Sequence, residues 1–545
     1  MKPRRRLLWF VVSTVVLGAL LGGVYGQRVE ATTDTGDDSD VQSNMKAFTQ
    51  VYDLVESNYA DPIAADKAIY GPPNSSVGAI PGMLRTLDPH SNFFDPRSFD
   101  QLREEQEGKY YGVGMTIETR LNRMGKLMTY VVLPIPGSPA FKVGLRPGDA
   151  IIQVNGKSTE GLQVSQVADM LKGPKGTVAR VSVTREGSDQ PLQFTITRDQ
   201  INRPTVDDAF LIRPGVAYIH INGEDETTND ELTAALKRLD AKDLRGMVLD
   251  LRNNPGGLLN EAVDVSDHFL QKDQLIVYHY GRRSREQRYY AQHGEQGNEY
   301  PMVVLINRNT ASAAEIISGA LQDHDRALIM GEPSFGKGLV QTVYPLSEHA
   351  GLALTTAHYY TPSGRLIQRD YDNVSLYDYY YRPEDSPTPK TQVRLTDGGR
   401  EVYGGGGITP DVEVAPEKLN PVREKLEDRN AWFSFGEYYL GNHSSVPKDF
   451  QPDETTLQEF EQFLAKNNIP VTHQEIEDNL DYIKSRIRLQ IIGVLYGTDE
   501  ASRISAENDP LVMKAIDSLP QAAELINHAK KYMAAKEQQR ERASQ

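Results

Sequence analysis

Apolar positions along the chain follow two rhythms, one of strands and one of helices. The run VVLI at 303–306 has the composition and length of a buried strand, and Ala314, Ile317 and Leu321 repeat at helical spacing behind Thr310. That pattern predicts a helix starting at Ala311 with Thr310 as its cap. A second strand is predicted at 327–330, before a glycine-punctuated turn, and a third at 339–343 from its β-branched content. The same alternation occurs upstream. VAYIHI at 216–221 reads as a strand, and residues 230–239 form a helix with Leu232, Leu236 and Leu239 on one face. GMVLDL at 246–251 is a buried strand entering a Pro-Gly-Gly turn and then an amphipathic helix. Strand-turn-helix units in series predict an α/β core over about 201–425.

Outside that core the rhythm changes. Phe48, Val51, Tyr52, Leu54 and Val55 share a helical face, and a short helix is expected at 79–87, so 44–107 is a helical region. Residues 108–200 are short β-rich segments broken by glycine and proline, as in a small barrel-like domain. A tyrosine-rich, proline-containing insertion runs from about 370 to 403; composition does not decide whether it covers a site or packs on a neighbour. From 426 to 545 the chain is charged and helical, with Leu457, Phe460 and Phe463 on one face, which predicts an added helical domain.

The N-terminus adds a different pattern. Lys2, Arg4, Arg5 and Arg6 precede an uncharged apolar run from Leu7 to Tyr25, long enough to span a bilayer at ~1.5 Å per residue. The basic residues 1–6 are expected to stay in the cytoplasm, 7–26 to be a transmembrane anchor, and the acidic stretch 27–43 to be a tether. A cleaved signal peptide is the alternative, although no A-x-A site closes the run. The chain has no cysteine, which excludes disulfides and lipoprotein attachment, and its net charge of -16 argues against a nucleic-acid partner.

The candidate chemistry lies at 303–341. Ser312 falls in the first turn of the predicted helix, where unpaired N–H groups and the helix dipole favour developing negative charge. Its hydroxyl needs a base, and Lys337, between Gly336 and Gly338, is placed for poor solvation and a lowered pKa. Lys337, Leu339 and Gln341 alternate onto one strand face, so Gln341 is positioned to hold the lysine amine. Taken singly, a serine there is commonly a cap and a lysine in such a turn commonly solvated. GEPSFGKG at 331–338 approaches a phosphate-binding loop, but Gly338 stands where a hydroxyl is needed and a strand follows instead of a helix. His90, in a DPHS turn, reads as a structural hydrogen-bonder, and His324 and His358 are weak rivals as bases. Glu315 is expected to support the site or cap the helix.

TASAAEI around Ser312 and SFGKGLVQ around Lys337 resemble the active-site stretch of the carboxyl-terminal processing peptidases, or tail-specific proteases. NYADP, LDPHS, TPSGRLIQ and GGGGITPDVEV extend the resemblance. It implies a crotonase-like α/β protease core in which a Ser312–Lys337 dyad, with Gln341 four residues beyond the lysine, hydrolyses peptide bonds near protein C-termini. It also implies an oxyanion hole made by the amide of Ala313 and a glycine amide of DLRNNPGG, with Gly256 and Gly257 both open. Residues 108–200 resemble a PDZ domain: GLRPGDAIIQVNG recurs in such domains, and Gly112, Val113, Gly114 and Met115 occupy the carboxylate-binding loop. Consecutive N–H groups there suit a peptide C-terminus that adds as a strand beside 115–118.

The expected protein is therefore an α+β multidomain chain with an inserted PDZ domain (β-rich with helices), an N-terminal transmembrane helix and a C-terminal helical domain. It is a serine endopeptidase on the periplasmic or extracytoplasmic side of a bacterial cytoplasmic membrane, acting on proteins or peptides with exposed C-termini. No metal or cofactor is implied; a homo-oligomer or an adaptor protein is left open. The alternative is a catalytically silent PDZ-containing scaffold.

Overall fold

The computed structural model describes residues 38–544, apart from 62–63, 72–76, 122–124, 186–187, 189, 241–242, 295–298, 373, 382–391, 417 and 444. The basic tail and the apolar run 7–25 lie outside the described residues, and no described helix is long and apolar enough to cross a membrane. The chain forms two compact units, Met1–Gly82 and Met83–Gln545. In the first, the helix Asp38–Asn58 begins inside the expected tether, so residues 38–43 are helical rather than extended. Asp40, in its first turn, suits the positive end of a helix dipole. Val41, Met45, Phe48, Val51 and Leu54 are exposed on it.

The second unit is built on a six-stranded sheet in the order Asp208–Arg213, Val216–His220, Gly246–Asp250, Met302–Ile306, Leu328–Gly331, Val412–Glu413. Its first pair is antiparallel and the rest are parallel. Parallel strands are apolar on both sides and need cover on both. Leu249, Val304 and Ile306 pack with Leu232, Val265, Phe269, Ile316 and Leu321. Tyr218, Val248, Val303, Leu305 and Met330 pack instead with Ala506, Val512, Ala515, Leu519 and Ala522.

This second covering comes from the end of the helical region expected at 426–545, which packs on the core. The helices Thr498–Glu507, Pro510–Asp517 and Leu519–Ser544 complete the core. The part before them has a hydrophobic centre of its own, around Trp432, Phe435, Phe460, Phe463 and Ile487.

An antiparallel sheet lies alongside, ordered Asn92–Phe94, Gly351–Tyr360, Leu275–Tyr280, Gln287–Tyr290, with Leu339–Pro345 also paired to Gly351–Tyr360. The third layer of sequence, the β-rich insertion, forms the sheet Met115–Leu121, Leu127–Pro134, Ala150–Val154, Val178–Thr184, Leu192–Thr197, with the helix Val164–Leu171 packed on it through Val167 and Leu171. A two-stranded ribbon, Lys109–Gly112 with Asp199–Asn202, closes its entry and exit.

Candidate active site

Ser312 stands where the central strand Met302–Ile306 turns into the helix Ala313–Asp323. The helix begins two residues later than expected, and Thr310 does not cap it. The Thr310 hydroxyl donates to Leu251 O at 2.8 Å across the sheet and accepts from Asn307 N–H at 3.0 Å within its own turn, partners that outcompete a cap on the helix. Ser312 is itself the cap residue, with φ 54° and ψ -116°, a strained conformation for a side chain with a Cβ.

Glu315 is fully buried and accepts four hydrogen bonds. Oε2 takes Ser312 N–H at 2.8 Å and Lys337 N–H at 2.9 Å; Oε1 takes Gly336 N–H at 2.7 Å and the Ser334 hydroxyl at 2.5 Å. Burial holds its carboxyl above the ordinary range against the pull of these donors. A second strap comes from the buried Tyr359, whose hydroxyl lies 2.9 Å from Ser312 O and 2.5 Å from Lys337 O. Serine and lysine, from different sheets, thus share two anchors.

The Lys337 amine donates to Gln341 Oε1 at 3.2 Å, and among the described residues no hydrogen bond joins it to the Ser312 hydroxyl. Burial lowers its pKa, with Glu315 and Asp88 opposing the shift. Gln341 in turn donates through Nε2 to His90 O at 2.5 Å. The His90 ring lies 2.9 Å from the Tyr379 hydroxyl. Its pKa is pushed down to about 3 by burial and by Lys337, with Asp88 opposing and Arg369 adding to the shift, so the ring is neutral. Asp88 Oδ1 accepts from His90 and Ser91 N–H at 2.7 Å each, which makes DPHS a fixed turn. His324 is bound to Asp397 and Leu275 O, a structural arrangement.

The tyrosine-rich insertion reaches this side of the site through the helix Leu376–Tyr381. Tyr379 packs edge-on against Phe335 and His90, and Arg369 lies 4.5 Å from both the Phe335 and the Tyr379 ring. Residues 382–391 of the insertion lie outside the described residues.

On the other side of Ser312 is the turn after Gly246–Asp250. Asn254 holds it together: Nδ2 donates to Ile221 O at 3.0 Å and to Glu224 Oε1 at 2.7 Å, while Oδ1 accepts from Gly256 N–H at 2.8 Å and its carbonyl from Ala311 N–H at 2.9 Å. A methyl group on Gly256 (φ 95°) would sit 2.7 Å from Ser312 Cβ and 2.9 Å from Ala313 N, so only glycine permits this approach. Gly256 N–H is occupied by Asn254. Gly257 and Ala313 N–H have no intramolecular partner among the described residues.

In the β-rich insertion, Gly112 pairs with Asp199, and Val113 and Met115 are buried. Ser138 Oγ donates to Gly114 O at 2.7 Å, which fixes the loop ahead of Met115–Leu121. Asp207, Asp208 and His220 bring ligand atoms within 4.8 Å of one another, and His220 Nδ1 already pairs with Asp207 at 2.7 Å.

Residues 215–373 match the model of peptidase family S41, and residues 130–185 match that of the PDZ domain. A carboxy-terminal-processing protease of Bartonella bacilliformis is 36% identical over 368 residues, which cover 67% of this chain and 80% of the relative. The carboxy-terminal processing protease CtpA of Bacillus subtilis is 32% identical over 470 residues, 83% of this chain and 91% of the relative. A solved photosystem II D1 C-terminal processing protease is 27% identical, covering 69% of this chain and 95% of its own, with a TM-score of 0.35. The chain belongs to the carboxy-terminal processing proteases of peptidase family S41. It is a serine-type peptidase carrying a PDZ domain.

Proposed function

We propose that Ser312 is the nucleophile and Lys337 its base, in a peptidase that captures a protein C-terminus on its PDZ domain. The observation that carries this reading is the Glu315 carboxylate, which binds the N–H groups of a strained serine and a desolvated lysine together. The neutral amine turns from Gln341 to Ser312 and takes the hydroxyl proton as Oγ attacks the scissile carbonyl. Gly257 and Ala313 N–H receive the oxyanion, because Gly256 N–H is already engaged. As the tetrahedral intermediate collapses, the ammonium returns its proton to the leaving amine, and water then releases the acyl group by the same route.

The Gly112–Met115 loop and the Met115–Leu121 strand are assigned to the substrate carboxylate and to the chain added beside it. The apolar run 7–25 is assigned to an anchor that places the protease outside the cytoplasm, acting on exported proteins.

Ser312→Ala is expected to abolish peptide hydrolysis with the fold unchanged by circular dichroism. Lys337→Arg is expected to be inactive although it keeps the charge, because a guanidinium does not deprotonate. Binding of a peptide C-terminus without hydrolysis by the wild type at any pH would favour the silent scaffold. For topology, protease added outside spheroplasts is expected to leave a membrane-held fragment around 7–25; a mature form starting near Gln27 would show a cleaved signal instead.

A further inference from the structure

Behind the turn that carries Gly256 and Gly257 lies an acid the reaction scheme does not use. Glu224 follows the strand Val216–His220 and is 3% exposed. Its main-chain carbonyl accepts from Leu258 N–H at 2.7 Å, and the residue bridges Gly257. A methyl on Gly257 would sit 1.9 Å from that carbonyl oxygen, so the two segments are in close register. In the side chain, Oε1 accepts from Asn254 Nδ2, whereas Oε2 is buried without a partner.

An ionised carboxylate with one oxygen unpaired is costly in such a place, and the neutral acid fits it better. The charged groups facing it are Asp225 and Glu261, both acidic, together with the buried Tyr359 hydroxyl. Burial, opposed by the Asn254 bond and reinforced by Asp225 and Glu261, pushes the Glu224 carboxyl up to about 8. Asn254 passes the constraint forward, fixing Gly256 through Oδ1 and Ala311 through its carbonyl.

We infer that Glu224, as the neutral acid, is a positioning residue that holds the oxyanion turn through Asn254, and that its ionisation at alkaline pH weakens stabilisation of the transition state. The inference rests on the reading of Ser312 as nucleophile. A negative charge two hydrogen bonds behind the hole opposes the charge that develops there, and an Asn254 drawn towards a carboxylate misdirects the Gly257 and Ala313 N–H groups.

The test is steady-state hydrolysis of one short peptide by the full chain, from neutral to strongly alkaline pH, for the wild type, Glu224→Gln, Glu224→Leu and Ser312→Ala. The wild-type kcat is expected to fall as pH rises through about 8. Glu224→Gln is expected to lack that fall. Glu224→Leu, which removes the acceptor for Asn254, should lower kcat by about tenfold or more with KM little changed, on the scale of a weakened oxyanion donor. The Gln variant should recover most of that loss. If the Leu variant does not fold, the alkaline limb of the Gln variant decides alone. A wild-type alkaline fall retained in Glu224→Gln, while Ser312→Ala is inactive, overturns this inference and leaves the dyad standing. Hydrolysis by Ser312→Ala at the wild-type rate overturns the dyad instead.

Discussion

The serine is held by groups that take no part in proton transfer. Glu315 satisfies four donors from two segments of chain, so its removal leaves buried N–H groups without acceptors, each costing about 1–3 kcal/mol. Glu315→Ala is expected to destabilise the fold by ~3 kcal/mol or more in chemical denaturation and to reduce kcat further than KM. His90 supplies a pH effect. Its folded pKa of about 3 lies below the ordinary imidazole value of 6.5, so the stability it contributes is complete above 6.5 and is lost as pH falls towards 3. His90→Gln should flatten the acid limb of a melting-temperature profile across that window. Lys337 works in the same sense for rate: its lowered pKa predicts activity rising with pH as the amine deprotonates, on the acid side of the fall assigned to Glu224, an effect missing from Lys337→Arg. The hydrogen bond between Lys337 and Gln341 was legible because the two stand four residues apart, on one face of a strand. Tyr359 was not, since it reaches Ser312 from 47 residues away and nothing local marks it. Thr310 was misread for the same reason, its partner Leu251 lying 59 residues earlier.

At the level of elements, the helix Leu376–Tyr381 links an insertion of unreadable purpose to the lysine. Tyr379 is 2% exposed, its hydroxyl meets His90 Nε2 and Gln368 Nε2, and the Tyr380 hydroxyl donates to Pro89 O at 2.8 Å. The path from Tyr379 through His90 to Gln341 ends on the lysine amine. Tyr379→Ala is expected to cost about 3–5 kcal/mol, as for a buried aromatic truncated to alanine, and to reduce kcat as Gln341 loosens. Tyr379→Phe keeps the ring packing and should retain most of the stability, which a paired melting and kinetic comparison checks. Composition could not assign this helix because its tyrosines follow no single period; burial of Tyr379 depends on Phe335 and Arg369, which only the fold brings to it. The parallel strands were legible as apolar runs, whereas their second covering was not, because a run does not say which helices will lie on it. The C-terminal helices therefore read as an appendage although their Val512, Ala515 and Leu519 seal the central sheet.

Over the whole molecule, the PDZ domain is held at two places by contacts of modest strength. Its helix Val164–Leu171 and the residue after it meet the helix Pro96–Gln106 through Asp169 with Arg97, and through Lys172 with Glu104 at 2.6 Å. On its strand Met115–Leu121, Arg120 lies 4.1 Å from the Tyr130 ring and 4.1 Å from Phe433 of the C-terminal helical region. Exposed ion pairs contribute about 0–1 kcal/mol each and a cation over an aromatic ring about 0.5–2 kcal/mol, so this clasp can open at thermal cost. The ribbon Lys109–Gly112 with Asp199–Asn202 is the double connection about which the domain would turn. A bound C-terminus that favours one position of the domain is then expected to change the rate at the protease site. Replacing Arg120 and Lys172 by alanine is expected to alter kcat on a short peptide that cannot reach the PDZ groove, and deleting 110–198 should do so more strongly. A domain acting only as a tether would change KM for protein substrates and leave the short peptide untouched. Equal kcat on the short peptide with and without the domain, or equal cleavage of a protein substrate whose C-terminus is amidated, would rule out such gating.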